Sequence, residues 1–386
     1  MTVALYASVG GELRHYEVDV EAAALEGRGS LDLPANVQYV WPHAGRRALY
    51  LASSNGEPGA GFPGDRHYLS ALAVDPGGAL SPLGEPVPLP SRPIHLSTDS
   101  SSDYALVAFN NPSALRVYRI RPDKSAGPEV PQKEPIDPGI YAHQVRVSPD
   151  NALAILVARG NDPAGGKGED AGALKVFQYR DGQLQGEVSV APNGGFGFGP
   201  RHLDFHPVKP WIYVSLERQN RLVMFQREGG SLLSLPRFSQ TTLAAPQSRR
   251  VRQAAGTVHV HPQGRFVYVA NRISSAERRG GDEIPAGGEN GIAVYAIEKE
   301  SGEPRAVENV DTRGIHPRCF AIDPSGRLLV AAHIRTVRLR DGEAVRTVPA
   351  CLSLFRIGAD GRLSFARKYD IELEGRLLFW MGMAEL

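Results

Sequence analysis

Short runs in which apolar and polar residues alternate recur along the whole chain, and a period of two marks strands rather than helices. The densest example lies at 196–225, FGFGPRHLDFHPVKPWIYVSLERQNRLVMF. A Gly-Pro turn leads into the alternating segment Leu203-Asp204-Phe205. His206-Pro207 then turns the chain, WIYV at 211–214 supplies a β-branched and aromatic strand, and RLVMF at 221–225 a third. This is one β-meander. The same order of strand, turn and strand, with a third strand further on, returns at VQYVWPHAGRRALYLASSNG (37–56), from Ile94, at HQVRVSPDNALAILVARGN (143–161), at TVHVHPQGRFVYVANR (257–272) and at RCFAIDPSGRLLVAAHI (318–334). Few sustained helical periods interrupt it.

The turn prolines measure the repeat. Pro149 to Pro207 spans 58 residues, Pro207 to Pro262 spans 55, Pro262 to Pro324 spans 62, and Pro42 to Pro149 spans 107, or two units. Six copies are complete. Unmatched strands remain at both ends, 3–20 and 377–381. Combining them yields a seventh unit, with the C-terminal strand inside, and a closed ring has no exposed sheet edges. The expected fold is all-β: one domain over 1–386, a seven-bladed β-propeller with four antiparallel strands per blade, closed by the N- and C-terminal strands in one blade. Three inserts, at 161–172, 273–291 and 335–350, join the second strand of a copy to the third. The first two are rich in glycine and charge, the third is similar, and all three are expected as mobile surface loops on one face of the disc.

Composition narrows the partners. The 43 basic and 42 acidic residues leave a net charge of +1, too little to hold nucleic acid or a membrane by bulk charge. No run of 18 apolar residues occurs, and the N-terminus has neither the basic start nor the apolar core of a signal peptide. Cys319 and Cys351 are expected as reduced, buried thiols, which with the rest places the protein in the cytoplasm. No sequence feature sets an oligomeric state.

The repeat register brings chemistry into view. Six residues before the turn proline stand His143, Arg201 and Arg318, with Gly256 in the fifth copy. Ten residues after it stand Arg159, Glu217 and Arg272, with Ile334 in the sixth. Equivalent positions of a propeller form a ring about its axis. A meander returns between these two points, so both rings lie on one face. A lone arginine at a blade edge is ordinarily a solvated charge. Recurrence at two register positions points instead to a site on that face, with His202 and His259 nearby. His206, His261 and His333 read as turn or strand-end residues. No coherent metal-ligand set occurs: His202 and His206 form H-x-x-x-H, but on a strand these lie at opposite ends of the disc. Neither a metal nor another cofactor is expected.

With GPRHLDFHP (199–207), YVSLE (213–217), VHVHPQGRFVYVANR (258–272), HPRCFAIDPSGRLLVAA (316–332) and, more weakly, HQVRVSPDN (143–151), the chain resembles the lactonase family of seven-bladed β-propellers, which includes bacterial 6-phosphogluconolactonases and the fungal 3-carboxymuconate lactonising enzyme. The resemblance implies a polar cluster of His143, Arg201, Glu217 and Arg272, expected as catalytic residues, with His202, His259 and Arg318 beside it; these three, and Arg159 from the repeat register, are expected to bind substrate. The family's usual C-terminal Gly-Pro is replaced by Glu374-Gly375-Arg376. The implied activity is hydrolysis of an anionic sugar lactone. A carboxymuconate-type cycloisomerase and a non-catalytic binding platform are the alternatives. A hydrolase needs a base for water and a cation for the oxyanion. Glu217 or His143 fits the first role, Arg201 or Arg272 the second.

Overall fold

The computed structural model describes residues 2–57, 61–246, 252–273, 276–279, 282–285, 288–341 and 344–386. Seven antiparallel sheets form seven blades. Their innermost strands are Asn36–Pro42, Pro93–Thr98, Ala142–Val147, Pro200–Phe205, Gln253–Val260, Pro317–Ile322 and Leu378–Glu385, in blades 1 to 7. Each packs beside the next, and the seventh returns to the first, so the ring is closed. Blades 1 and 4 split their outermost strand into two short pieces. Blade 7 is built as the terminal strands require: Leu378–Glu385 innermost, then Val3–Val9, Glu12–Asp19 and Ala24–Asp32. Ser8 fixes the closure, its Oγ accepting from Trp380 N at 2.9 Å and donating to Trp380 O at 3.1 Å.

The apolar side chains collect between the blades. One buried cluster fills each of the seven blade-to-blade interfaces, including blades 6 and 7 (Leu352, Leu354, Leu5, Val3) and blades 7 and 1 (Tyr6, Leu13, Leu49, Leu51). Polar latches add to them. Tyr6, Tyr213 and Tyr268, on second strands, donate to the carbonyls of Gly78, Gly302 and Gly361 in the next blade at 2.7–3.0 Å. His206 and His261, ahead of their turn prolines, bond through Nε2 to the carbonyls of Gly264 and Gly326 at 3.0 and 2.9 Å. These histidines join blades.

Two expectations are corrected. Pro42 does not occupy the turn position. It is the last residue of its inner strand, paired with Leu49, where a missing N–H is tolerated at the strand end. Counting back from it therefore lands two residues early, on Asn36. Parts of the inserts, expected as loops, form strands. Ala276–Arg279 pairs with Asp282–Pro285, and Val337–Asp341 with Ala344–Val348, as two hairpins lying side by side. The insert at 161–172 is held by Arg218, whose Nη1 lies 2.9 Å from Glu169 and 3.4 Å from Asp162. Composition registers loop chemistry but not such partners. No described helix is long and apolar enough to cross a membrane.

Candidate active site

Every inner strand carries a β-bulge near its start. The register shifts at Gln38, Ile94, His143, Arg201, Gly256-Thr257, Arg318 and Phe379-Trp380. A bulge adds one residue without a partner and re-aims its side chain. Here the bulges turn Gln38, Ile94, His143, Arg201, Thr257, Arg318 and Phe379 into one axial cavity of about 40 Å³, room for water but not for a sugar. A ligand of hexose size would thus rest at its mouth. The ends of the second strands complete the site. Arg159 N and Glu217 N donate to the carbonyls of Tyr141 and Gly199, just ahead of the first strands, at 3.0 Å each, and Arg272 pairs with Ala254.

Glu217 is the centre of the charge. Its Oε1 meets Arg272 Nη2 and lies 3.1 Å from Arg201 Nε, while Oε2 lies 2.8 Å from Arg159 Nη1. Burial alone would raise its pKa, but Arg272, Arg201 and Arg159 outweigh it and hold the carboxyl far below the usual range. Three cations against one anion leave an excess, and the fourth arginine, Arg318, enlarges it. Burial and the facing Arg272 push the Arg201 pKa well down. A guanidinium starts so high that the outcome is not deprotonation but an appetite for an anion. Arg201 is almost wholly buried, and its Nη1 has no hydrogen-bond partner among the described residues.

His143 faces the same cavity, buried, with Nδ1 also lacking a partner among the described residues. Burial first, then Arg201, lowers its pKa well below 6.5, so the ring is neutral. His202 lies directly behind it, ring centroids 5.2 Å apart, and His95 follows at 6.1 Å. His259 lines the cavity from deeper along the axis, with Nδ1 3.6 Å from Asp204 Oδ2, which also accepts from Val260 N. Asp204 in turn lies 3.1 Å from Arg146. Arg159 stacks 4.3 Å over the Tyr141 ring as it reaches Glu217, and Arg318 lies 3.7 Å over the Phe379 ring. Among the described residues, no group of three or more His, Cys, Asp or Glu side chains is arranged to hold a metal ion.

The register argument missed Gln38, Ile94 and Phe379. Blade 2 has serine where its turn proline would be, Pro42 is displaced, and blade 7 takes its inner strand from the C-terminus. It also missed the residues just before the inner strands: Arg92, Tyr141 and His316. Tyr141 and His316 adopt φ of 57° and 58°, the left-handed region in which Gly199 also sits in blade 4. A non-glycine residue is strained there. Burial and Arg272 lower the His316 pKa to about 2, so it too is neutral.

The profile of the family described as "Lactonase, 7-bladed beta-propeller" matches residues 1–340. The chain is 28% identical over 365 residues to a 6-phosphogluconolactonase of Bacillus subtilis, covering 89% of this chain and 92% of that one. It is 27% identical over 319 residues to the 6-phosphogluconolactonase of Cronobacter sakazakii, covering 80% and 82%. Among solved structures it resembles in fold a periplasmic gluconolactonase of Pseudomonas aeruginosa, with a TM-score of 0.73, 23% identity and coverage of 96% and 97%. The match over most of the chain, together with seven closed blades around a polar axial cavity, makes this protein a member of the lactonase family of seven-bladed β-propellers.

Proposed function

We propose that the protein hydrolyses an anionic sugar lactone of the 6-phosphogluconolactone type. One observation carries the reading: the buried His143 and Arg201, whose Nδ1 and Nη1 have no partners among the described residues, line one cavity. In the proposed reaction the neutral imidazole takes a proton from water as the water oxygen attacks the lactone carbonyl carbon. The carbonyl electrons move to oxygen, and Arg201 stabilises the oxyanion. As the carbonyl re-forms, the bond to the ring oxygen breaks, and the imidazolium returns the proton to that oxygen. The product is a hydroxy acid, which ionises near neutral pH. Glu217 is unsuited to the base role, because three guanidiniums hold its proton affinity too low. Its proposed role is to hold Arg159, Arg201 and Arg272 in place. The names of the relatives support the reaction class and the phosphorylated substrate. The free Cys319 and Cys351 support a reducing, cytoplasmic setting.

The test is acid release at constant pH from freshly prepared 6-phosphogluconolactone, corrected for spontaneous opening. Wild-type protein should accelerate it, and His143→Asn should lower kcat by roughly 100-fold or more. Failure of the wild-type protein to accelerate acid release would overturn the reading. Muconate cyclisation, followed by loss of ultraviolet absorbance, would identify a cycloisomerase instead.

A further inference from the structure

Three arginines of the site lie against Glu217, but two more guanidiniums, the buried Arg92 and the half-buried Arg318, have no carboxylate partner among the described residues. Arg92 directly precedes the inner strand of blade 2, at 6% exposure. Its Nη2 donates to Gln38 Oε1 at 2.5 Å, and its Nε has no partner. Arg318, at the bulge of blade 6, spends Nε on the carbonyl of Phe379 at 3.0 Å. Both guanidiniums lie over the Phe379 ring, 5.7 and 3.7 Å from its centroid. Burial lowers the pKa of each; for Arg318, with Arg272 as the next cause, to about 10.

Unpaired buried charges are costly, and a fold keeps them where a ligand completes them. The place has room. The axial cavity and a neighbouring one of about 240 Å³ share Gln38 and Phe379 as walls. Gly375 and Arg376 line the larger cavity, so the C-terminal departure from the family pattern borders this spot.

We propose that Arg92 and Arg318, braced on Phe379 and Gln38, form a phosphate subsite that holds the tail of the lactone while its carbonyl lies over Arg201 and His143. This deepens the hydrolase reading and rests on it for the reacting end. Planar guanidiniums suit phosphate oxygens by paired hydrogen bonds. A carboxylate tail shares that chemistry, so the experiment includes both anions.

The experiment compares kcat/KM for 6-phosphogluconolactone and δ-gluconolactone in wild type, Arg92→Met and Arg318→Met. It also follows the rise in Tm with inorganic phosphate and with acetate. The preference for the phosphorylated lactone should fall about 10-fold or more in each variant, and the phosphate-dependent rise in Tm should be lost. A preference within twofold of wild type would overturn the subsite, as would a larger Tm rise with acetate than with phosphate. If Arg318→Met or Arg92→Met does not fold, the Lys variant at the same position keeps the charge and loses the fork; it should still weaken the preference, and an unchanged preference in a folded variant at each position overturns the proposal. Phosphate binding that depends on Arg92 and Arg318, without hydrolysis of either lactone, would sustain the subsite and remove the hydrolase reading. Equal hydrolysis of both lactones with no phosphate-dependent Tm rise would do the reverse.

Discussion

Gly256 and Arg272 share a space that only one side chain can fill. A Cβ on Gly256 would lie 2.6 Å from Arg272 Nη1. Gly256 holds the register position that carries Arg201 in blade 4 and Arg318 in blade 6, and its missing side chain lets Arg272 reach Glu217. Gly256→Ala should therefore displace Arg272. The expected result is a roughly 10- to 100-fold fall in kcat/KM with little change in Tm. Wild-type kinetics in this variant would show that the position of Arg272 is immaterial.

Glu217→Gln tests whether the carboxylate is scaffold or base. Removing one charge leaves three guanidiniums, two of them buried, without their anion, so urea denaturation should show a loss of about 3–5 kcal/mol. Turnover should fall together with this loss as the arginines separate. Undiminished stability with a turnover drop of roughly 100-fold or more would return the base role to Glu217.

The same residue predicts acid sensitivity. Its folded pKa is depressed below the ordinary 4.5, so its contribution to stability is complete above that value. The contribution drains away as pH falls below 4.5 toward the folded pKa, because the unfolded chain then binds the proton more readily. Urea midpoints measured downward from pH 6 should decline below about pH 4.5 in wild type, and less steeply in Glu217→Gln. Parallel declines in the two proteins would count against the linkage.

If His143 is the base, as proposed, it should set the acid limb of the rate. Burial and Arg201 lower its pKa well below 6.5, so the neutral base persists through 6.5. The kcat/KM profile in free enzyme should be flat across 6.5 and bend only at more acid pH. A bend at the ordinary histidine value would mean a solvated imidazole, in conflict with the buried position.

His261→Ala separates latch from site. The variant loses the bond to Gly326 O, at 2.9 Å, that ties blade 5 to blade 6. Stability should fall by about 1–3 kcal/mol while kcat at saturation stays near wild type. A large drop in kcat without loss of stability would give this histidine a part in the chemistry.

The sequence by itself determined the strands, the repeat, and the closure by both termini, because a period of two and punctuating turns are local properties. It also placed His143 and Arg201 at one register position and Glu217 and Arg272 at another, since repetition turns chain distance into angle about an axis. It could not place Gln38, Ile94 or Phe379 on the same ring. Their blades lack the marker proline or take it elsewhere, and a bulge is a relation between two paired strands rather than a property of one. Nor could it decide what each charge does. Glu217 read equally well as base or counter-ion, and only the fold shows three arginines from three blades around it. Arg92 carried no repeat signal at all. Its significance comes from being buried beside Phe379 without a carboxylate partner among the described residues, and such burial arises only when all seven blades close.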